Sequence, residues 1–235
     1  LKLSKLGDYM NIFKSSLAFI MFAALNASAA PEGAFTTLMV QANDVEKYID
    51  YMKKNTAPFE AIDSDVAGVC VTKSGNQYPG EMFVWNAFPS IEKAFAVSEL
   101  YDPMNTTSAF EKLRSVKYSA TFKPIKEFDL KPGYERLWRL KLNDWRAFAA
   151  DMTILEKALQ KAGHEMRLGV FYPLGGGNEV FHLRAVTIDG AASGRVADDY
   201  FAGAEYGQIW DNAFAKYVDE IVSETVESCE IIYTK

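Results

Sequence analysis

Apolar positions in the first half of the chain follow strand and helix periods in turn. The segments with strand patterning are Phe35–Ala42, Val66–Thr72, Met82–Phe88 and Ala120–Phe128. Helical spacing begins after Asn43, which can cap a first helix, and Pro89 can open a second helix that runs to Tyr101. A shorter helix near residues 110–116 precedes the last strand. The predicted order is β-α-β-β-α-β with one extra helix.

The same order recurs in the second half, displaced by about 100 positions. Leu38–Asp44 and Trp138–Asp144 both carry a strand pattern that ends in Asn-Asp. The second set of strands is predicted at Tyr134–Leu142, Arg167–Tyr172, Val180–Ile188 and Thr225–Tyr233, with helices at 145–159, 195–201 and 206–218. Gly175–Gly177 is predicted as a hairpin turn, because it lacks the following helix and the Lys-Ser/Thr of a phosphate loop. The linker Lys131–Gly133 separates a first domain, 30–131, from a second, 132–235.

This element order predicts an α+β fold built from two tandem ferredoxin-like βαββαβ units. Helices cover one face of each sheet, and the other face is still partly apolar and needs a partner. The second half can supply that partner within the same chain. We therefore expect the two sheets to face each other as a pseudo-dimeric α/β barrel, and the protein to be a monomer.

The paired elements resemble the dimeric α/β-barrel superfamily. Its relatives include antibiotic-biosynthesis-monooxygenase-like domains, stress-responsive barrel domains and NIPSNAP-like proteins. The resemblance covers nearly all of the chain after residue 30 and rests on element order and a few paired residues. Members of the superfamily include cofactor-free oxygenases and haem proteins, so the resemblance implies a fold without selecting an activity.

The chain has two cysteines, Cys70 and Cys229. They could form a disulfide or remain as two buried thiols. In the superfamily that the chain resembles, the strands that carry them are edge strands that can meet where the two sheets join. The resemblance therefore implies that a disulfide across this junction is feasible.

The N-terminal residues have the features of a targeting segment. Met10–Lys14 is a short basic start, Leu17–Leu25 is an apolar run, and Ala27–Ala29 offers small residues for a peptidase. We expect residues 1–29 to be removed and the mature protein to be periplasmic or secreted, with no membrane attachment. The net charge of −6 argues against a nucleic-acid partner.

Alternation along the predicted strands separates an apolar face from a mixed one. Phe83, Trp85 and Ala87, matched with Phe181, Leu183 and Ala185, are expected beneath the helices. The mixed faces are expected to line a pocket between the two sheets. The candidate ligand-binding residues on these faces are Arg139, Lys141, His182, Arg184, Asn86 and Gln41.

These residues give two interpretations. A cationic pocket suits an anionic small molecule, because arginine offers a planar fork to a carboxylate. Alternatively, the cations pair with nearby acids such as Glu135 or Glu179. No spacing resembles a metal site, and the chain has only two histidines, His164 and His182.

The leading functional hypothesis is an exported small-molecule-binding or accessory protein whose ligand is anionic and which needs no cofactor. A cofactor-independent monooxygenase-like enzyme is the alternative, so enzymatic activity stays open. A haem-binding barrel, with one of the two histidines as axial ligand, is a third hypothesis.

Overall fold

A computed structural model describes residues 30–104 and 107–235. The predicted targeting segment lies outside the described residues. The strands are β1 (Ala34–Ala42), β2 (Val66–Ser74), β3 (Glu81–Phe88), β4 (Arg114–Pro124), β5 (Gly133–Leu142), β6 (Arg167–Leu174), β7 (Phe181–Thr187) and β8 (Val218–Thr234). The helices are α1 (Val45–Lys54), α2 (Ala57–Ala61), α3 (Ile91–Leu100), α4 (Ser108–Leu113), α5 (Trp145–Lys161), α6 (Gly190–Phe201) and α7 (Tyr206–Tyr217).

The eight strands form one closed barrel in the order β1-β3-β2-β8-β5-β7-β6-β4. All neighbouring strands are antiparallel. Strands β1–β4 come from the first half of the chain and β5–β8 from the second. The halves meet at two seams, β2 with β8 and β4 with β6. Because both seams are hydrogen-bonded, the barrel of this chain has no free strand edge.

The helices pack on the outer face of the barrel and create an apolar core in each half, with a second, smaller cluster beneath α3 in the first half. In the first half, Tyr48 and Met52 of α1 pack on Val40 of β1. In the second half, Phe148 and Met152 of α5 occupy the same place against the sheet.

Asp44 and Asp144 cap α1 and α5 by accepting hydrogen bonds from backbone N–H groups three residues later. The caps therefore lie one position after the predicted Asn43 and Asn143. Each asparagine instead donates through Nδ2 to a carbonyl near the end of a later helix, Lys112 and Lys216 respectively. These matching bonds place the α4–β4 junction of the first half and the α7–β8 junction of the second in equivalent positions.

The last strand of each half begins earlier than the sequence predicts. β4 starts at Arg114, where a helix was expected, and β8 starts at Val218 rather than Thr225. Exposed polar residues at the start of both strands, such as Lys117 and Glu220, mask the strand period. Pairing with two neighbours defines these strands instead, since β8 bonds to both β2 and β5.

The predicted faces are correct for β7 and wrong for β3. Leu183 and Ala185 lie beneath the helices as expected. Phe83 and Trp85, however, point into the barrel interior, where they pack with Met39 and Cys70. The barrel register pairs Met39 with Phe83 and Arg139 with His182, so the structural counterpart of Phe83 is His182. The sequence comparison paired Phe83 with Phe181 because both residues are phenylalanine. This pairing put the alignment of β3 with β7 out by one residue, and a one-residue shift exchanges the two faces of a strand.

Cys70 and Cys229 form a disulfide across the β2–β8 seam. They are register partners on the two strands, and both side chains face the interior. Of the two outcomes left open by the sequence, the structure therefore shows the disulfide. Within the described residues, no helix has the length and apolar character needed to cross a membrane.

Candidate functional site

The second half of the chain supplies nearly all the charge in the barrel interior. One carboxylate oxygen of Glu179 lies 3.2 Å from Nε of Arg139 on β5. The same oxygen lies 2.9 Å from Nε2 of His182 on β7. The Tyr118 hydroxyl donates to the other Glu179 oxygen at 2.6 Å. Burial raises the pKa of Glu179, but the hydrogen bond from His182 and the charge of Arg139 outweigh it and hold that pKa below its usual range.

A second group of interior charges is centred on Arg184. Its Nη1 donates to Glu135 of β5 and lies 3.8 Å from an oxygen of Glu227 on β8. Its Nη2 lies 3.3 Å from Nδ1 of His182, so the two groups form one interior network. Burial lowers the pKa of His182 to about 3. The neutral ring therefore accepts from Arg184 at Nδ1 and donates to Glu179 from Nε2.

The cavity beside this network is small, about 60 Å³. Small-molecule sites usually enclose about 300–1,000 Å³, so this space suits a few water molecules. Aromatic side chains fill the rest of the interior, among them Phe35, Trp85, Phe122, Phe128 and Phe171. Two carboxyl groups, Glu135 and Glu227, lie close to the disulfide sulfurs, but the sulfurs bond each other and are not free to bind a metal.

The six predicted site residues do not form one pocket. Three of them, Arg139, His182 and Arg184, converge in the interior. Each contacts a glutamate, as in the second interpretation of the sequence. Lys141 is exposed and pairs with Glu220 on β8. Gln41 accepts from Lys117 at an exposed strand end. Asn86 lies on the other side of the sheet, because the face of β3 was misassigned.

A larger cavity, of about 300 Å³, lies between the outer face of the first-half sheet and the helices α1–α4. We call it the Arg114 cavity. Its walls are mainly apolar, with Leu38, Phe59, Ile62, Val84, Val97 and Phe110 among them. Its polar side chains include Asn86, Arg114 and Tyr101, and Asp102 lies at its lining as well. This volume and composition are those of a small-molecule site.

Arg114, the first residue of β4, is buried at 6% exposure. Its guanidinium donates to the hydroxyl oxygens of Tyr48 at 2.6 Å and Tyr101 at 2.9 Å and packs over the ring of Phe110. Among the described residues, no carboxylate lies within ion-pair distance of it. Burial raises the pKa of Tyr48 to about 12, so this hydroxyl stays neutral beside the cation. A buried cation without a counter-ion is costly unless a ligand or water completes its environment.

Asn86 also lines this cavity and has an unsatisfied amide oxygen. Its Oδ1 is inaccessible to solvent and has no hydrogen-bond partner among the described residues. An amide oxygen in this state is costly to bury.

The second half shows that the fold itself does not require this cation. The residues in the positions of Tyr48 and Arg114 are Phe148 and Val218, as judged from the matching helix caps and strand register. The corresponding space, about 230 Å³, is lined by apolar groups such as Trp138, Leu155 and Trp210. The sequence analysis missed Arg114 because it assigned this residue to a helix. A comparison of the two halves could have found it, since the equivalent residue of the second half is Val218.

The histidines do not fit an axially ligated haem. His182 is 2% exposed, has both ring nitrogens engaged and borders the cavity of about 60 Å³. Nε2 of His164 lies 3.0 Å from a carboxylate oxygen of Asp199, in a recess separate from the larger cavities. Neither ring lines the Arg114 cavity or its second-half counterpart.

Comparison with solved structures identifies the architecture. A heme-binding protein from Thermus thermophilus aligns over 84% of this chain and 91% of its own, with a TM-score of 0.52 and 12% identity. An anthrone oxidase-like protein aligns over 87% and 95%, with a TM-score of 0.51 and 11% identity. A variant chlorite dismutase from Candidatus Nitrospira defluvii aligns over 88% and 94%, with a TM-score of 0.51 and 10% identity. The chain has the dimeric α/β-barrel fold.

The α/β-barrel fold expected from the sequence is thus confirmed as a fold. No protein-family model and no curated protein matches the sequence. At such low identity, the dimeric α/β barrel is a shared fold and does not transfer an activity.

Proposed function

We propose that this protein binds a small anionic organic molecule in the Arg114 cavity. The observation that carries the proposal is the buried Arg114 guanidinium, which faces an apolar cavity without a carboxylate partner among the described residues. A ligand carboxylate or enolate would complete its pairing. The sequence-based hypothesis of an anionic ligand is kept, but its site moves from between the sheets to the outer face of the first sheet.

The apolar walls favour a ligand with a planar, hydrophobic body. Phe59 and Phe110 line the cavity together with several aliphatic side chains. Burial of a ring against these groups supplies affinity that is independent of charge, whereas the interaction with Arg114 selects for the anion. Asp102, at the cavity lining, disfavours a second negative charge at that side of the ligand.

Titration with 1-naphthoate and with the uncharged 1-naphthamide tests this charge selection. The carboxylate should bind at least about tenfold more tightly than the amide, because a charge-assisted hydrogen bond contributes about 1.5–3 kcal/mol. Arg114→Met should abolish the difference between the two probes. Arg146→Met removes an equal charge from an exposed position on α5 and should leave both affinities unchanged.

A preference for the amide, or an Arg114→Met protein that still selects the carboxylate, would contradict the proposal. Circular dichroism of the variant establishes that it has folded. Replacement by methionine should be tolerated because the second half accommodates Val218 at the equivalent position.

A second candidate is cofactor-independent oxidation of the bound molecule. The fold likeness to an anthrone oxidase-like protein favours it. Oxygen consumption with a bound phenolic ligand, in protein free of metal and flavin, would support oxidation. If such ligands bind but no oxygen is consumed, the result supports ligand binding and contradicts oxidation.

We further propose that the protein is exported and acts as a monomer made of two tandem ferredoxin-like units, 30–131 and 132–235. The Cys70–Cys229 disulfide supports an oxidising compartment, periplasmic or extracellular. Closure of both barrel seams within one chain supports a monomer. N-terminal sequencing of the exported protein should find Ala30 as the first residue. Light scattering should give the mass of a single chain, and an obligate dimer would contradict the proposed monomer.

A further inference from the structure

Two buried carboxyl groups face each other in the barrel interior. Glu135 of β5 and Glu227 of β8 are register partners, at 4% and 1% exposure. One Glu227 oxygen accepts from the Thr225 hydroxyl at 3.0 Å. The other, Oε2, lies 3.8 Å from Nη1 of Arg184, beyond hydrogen-bond distance, and has no hydrogen-bond partner among the described residues. A buried carboxylate oxygen without a partner calls for a physical explanation.

The charges around this pair do not balance if both groups are ionised. Arg184 of β7 faces both carboxyls, but its Nη1 donates to Glu135 and lies 3.8 Å from Glu227. Arg139 of β5 is engaged by Glu179, and His182 of β7 is neutral and also bonds Glu179. From β2, the neighbouring side chain is Cys70, whose disulfide carries no charge. Arg184 is therefore the one cation among the described residues within ion-pair distance of either carboxyl group, while Arg139 acts on Glu227 and Arg167 of β6 acts on Glu135 from farther away.

We propose that Glu135 and Glu227 hold one proton between them at neutral pH, with Glu227 as the protonated member, and that loss of this proton weakens the β5–β8 pairing. A protonated Glu227 gains an O–H donor at the unpartnered Oε2, and Glu135, whose carboxyl group lies within 4.8 Å of that of Glu227, is the neighbouring acceptor. Protonation also avoids burying an uncompensated negative charge. Because the two carboxyl groups interact, they titrate as a pair, in which Glu227 holds the proton and Glu135 keeps its bond to Arg184.

Burial supports this assignment by raising the pKa of Glu227 to about 8, and the neighbouring Glu135 adds to the effect, against the opposing charges of Arg184 and Arg139. The folded protein then binds more protons than the unfolded chain between the unfolded pKa, about 4.5, and the folded one. The stabilising contribution is therefore complete below about pH 4.5 and is lost as the pH rises towards 8.

Glu227→Gln tests the proposal because glutamine is a neutral isostere of the protonated acid. The melting temperature of the natural protein should fall between pH 5 and pH 8.5, and that of the Glu227→Gln protein should fall several degrees less. At pH 8.5 the variant should be the more stable of the two. Glu224→Gln, on the opposite, more exposed face of the same strand, should keep the profile of the natural protein apart from the small effect of losing its Arg136 pair.

The opposite result would overturn the proposal. If Glu227 is ionised and paired with Arg184, Glu227→Gln should destabilise the protein at neutral pH, and the stability attributed to Glu227 should fall on acidification. Difference infrared spectroscopy at pH 6.5 gives a second measurement that does not depend on stability. The carbonyl band of a protonated carboxyl group should be present in the natural protein and lost in Glu227→Gln, and its absence from the natural protein would also overturn the proposal.

Discussion

Arg184 joins the two groups of interior charges. It bonds Glu135 on one strand and reaches His182 on its own, while its guanidinium lies over the ring of Phe83 from the first half. A buried pair of this kind adds little net stability compared with apolar residues, but losing one member is costly because the other charge stays buried. Arg184 is therefore a structural ion-pair partner in this account.

Arg184→Met should lower the free energy of unfolding by about 3–5 kcal/mol at neutral pH, because it leaves Glu135 without its cation. Selection of 1-naphthoate over 1-naphthamide should be unaffected, since Arg184 does not line the Arg114 cavity. Urea denaturation and the probe titration measure the two effects on one sample. A stable Arg184→Met protein that has lost anion selection would restore the site between the sheets that the sequence suggested.

At the scale of single residues, the sequence could indicate which side chains carry charge but not how they pair. Pairing of the cations with Glu135 or Glu179 was one of its two interpretations, and the structure shows it. Glu227 was missed because it lies among other acids of β8, such as Glu224, that are more exposed. Arg114 was missed because helix spacing was extended too far. Both errors concern contacts between residues distant in the chain, which periodicity does not contain.

At the scale of elements, the β2–β8 seam carries the covalent link between the halves. Cys70 and Cys229 are 159 positions apart, so their disulfide closes a long loop and restricts the unfolded chain.

The order of strands and helices followed from periods of 2 and 3.6 residues. The early starts of β4 and β8 did not, because pairing on both sides defines them.

Replacement of both cysteines by alanine should lower the free energy of unfolding by about 2–5 kcal/mol. The folded structure should persist, because backbone pairing along β2 and β8 continues on both sides of the disulfide. Denaturation of the natural protein with and without a dithiol reductant gives the matched comparison. Equal stability in the two conditions would mean that the disulfide does not constrain the unfolded chain.

At the scale of the whole molecule, two similar halves have different chemical contents. The interior takes its charge from the second half and its aromatic filling mainly from the first, together with Phe171. On the outer face the difference is reversed. The first-half cavity has a buried cation without a carboxylate partner among the described residues, and the second-half cavity has a mainly apolar lining in which Arg136 pairs with Glu224. One barrel thus has a paired, closed interior and one outer cavity equipped for an anion.

The most direct test of this account is a crystal structure of the protein with 1-naphthoate. We predict that the carboxylate binds the Arg114 guanidinium and that the rings pack against Phe59 and Phe110. Density for the probe between the sheets beside Arg184, or in the second-half cavity beside Trp210, with none at Arg114, would contradict it.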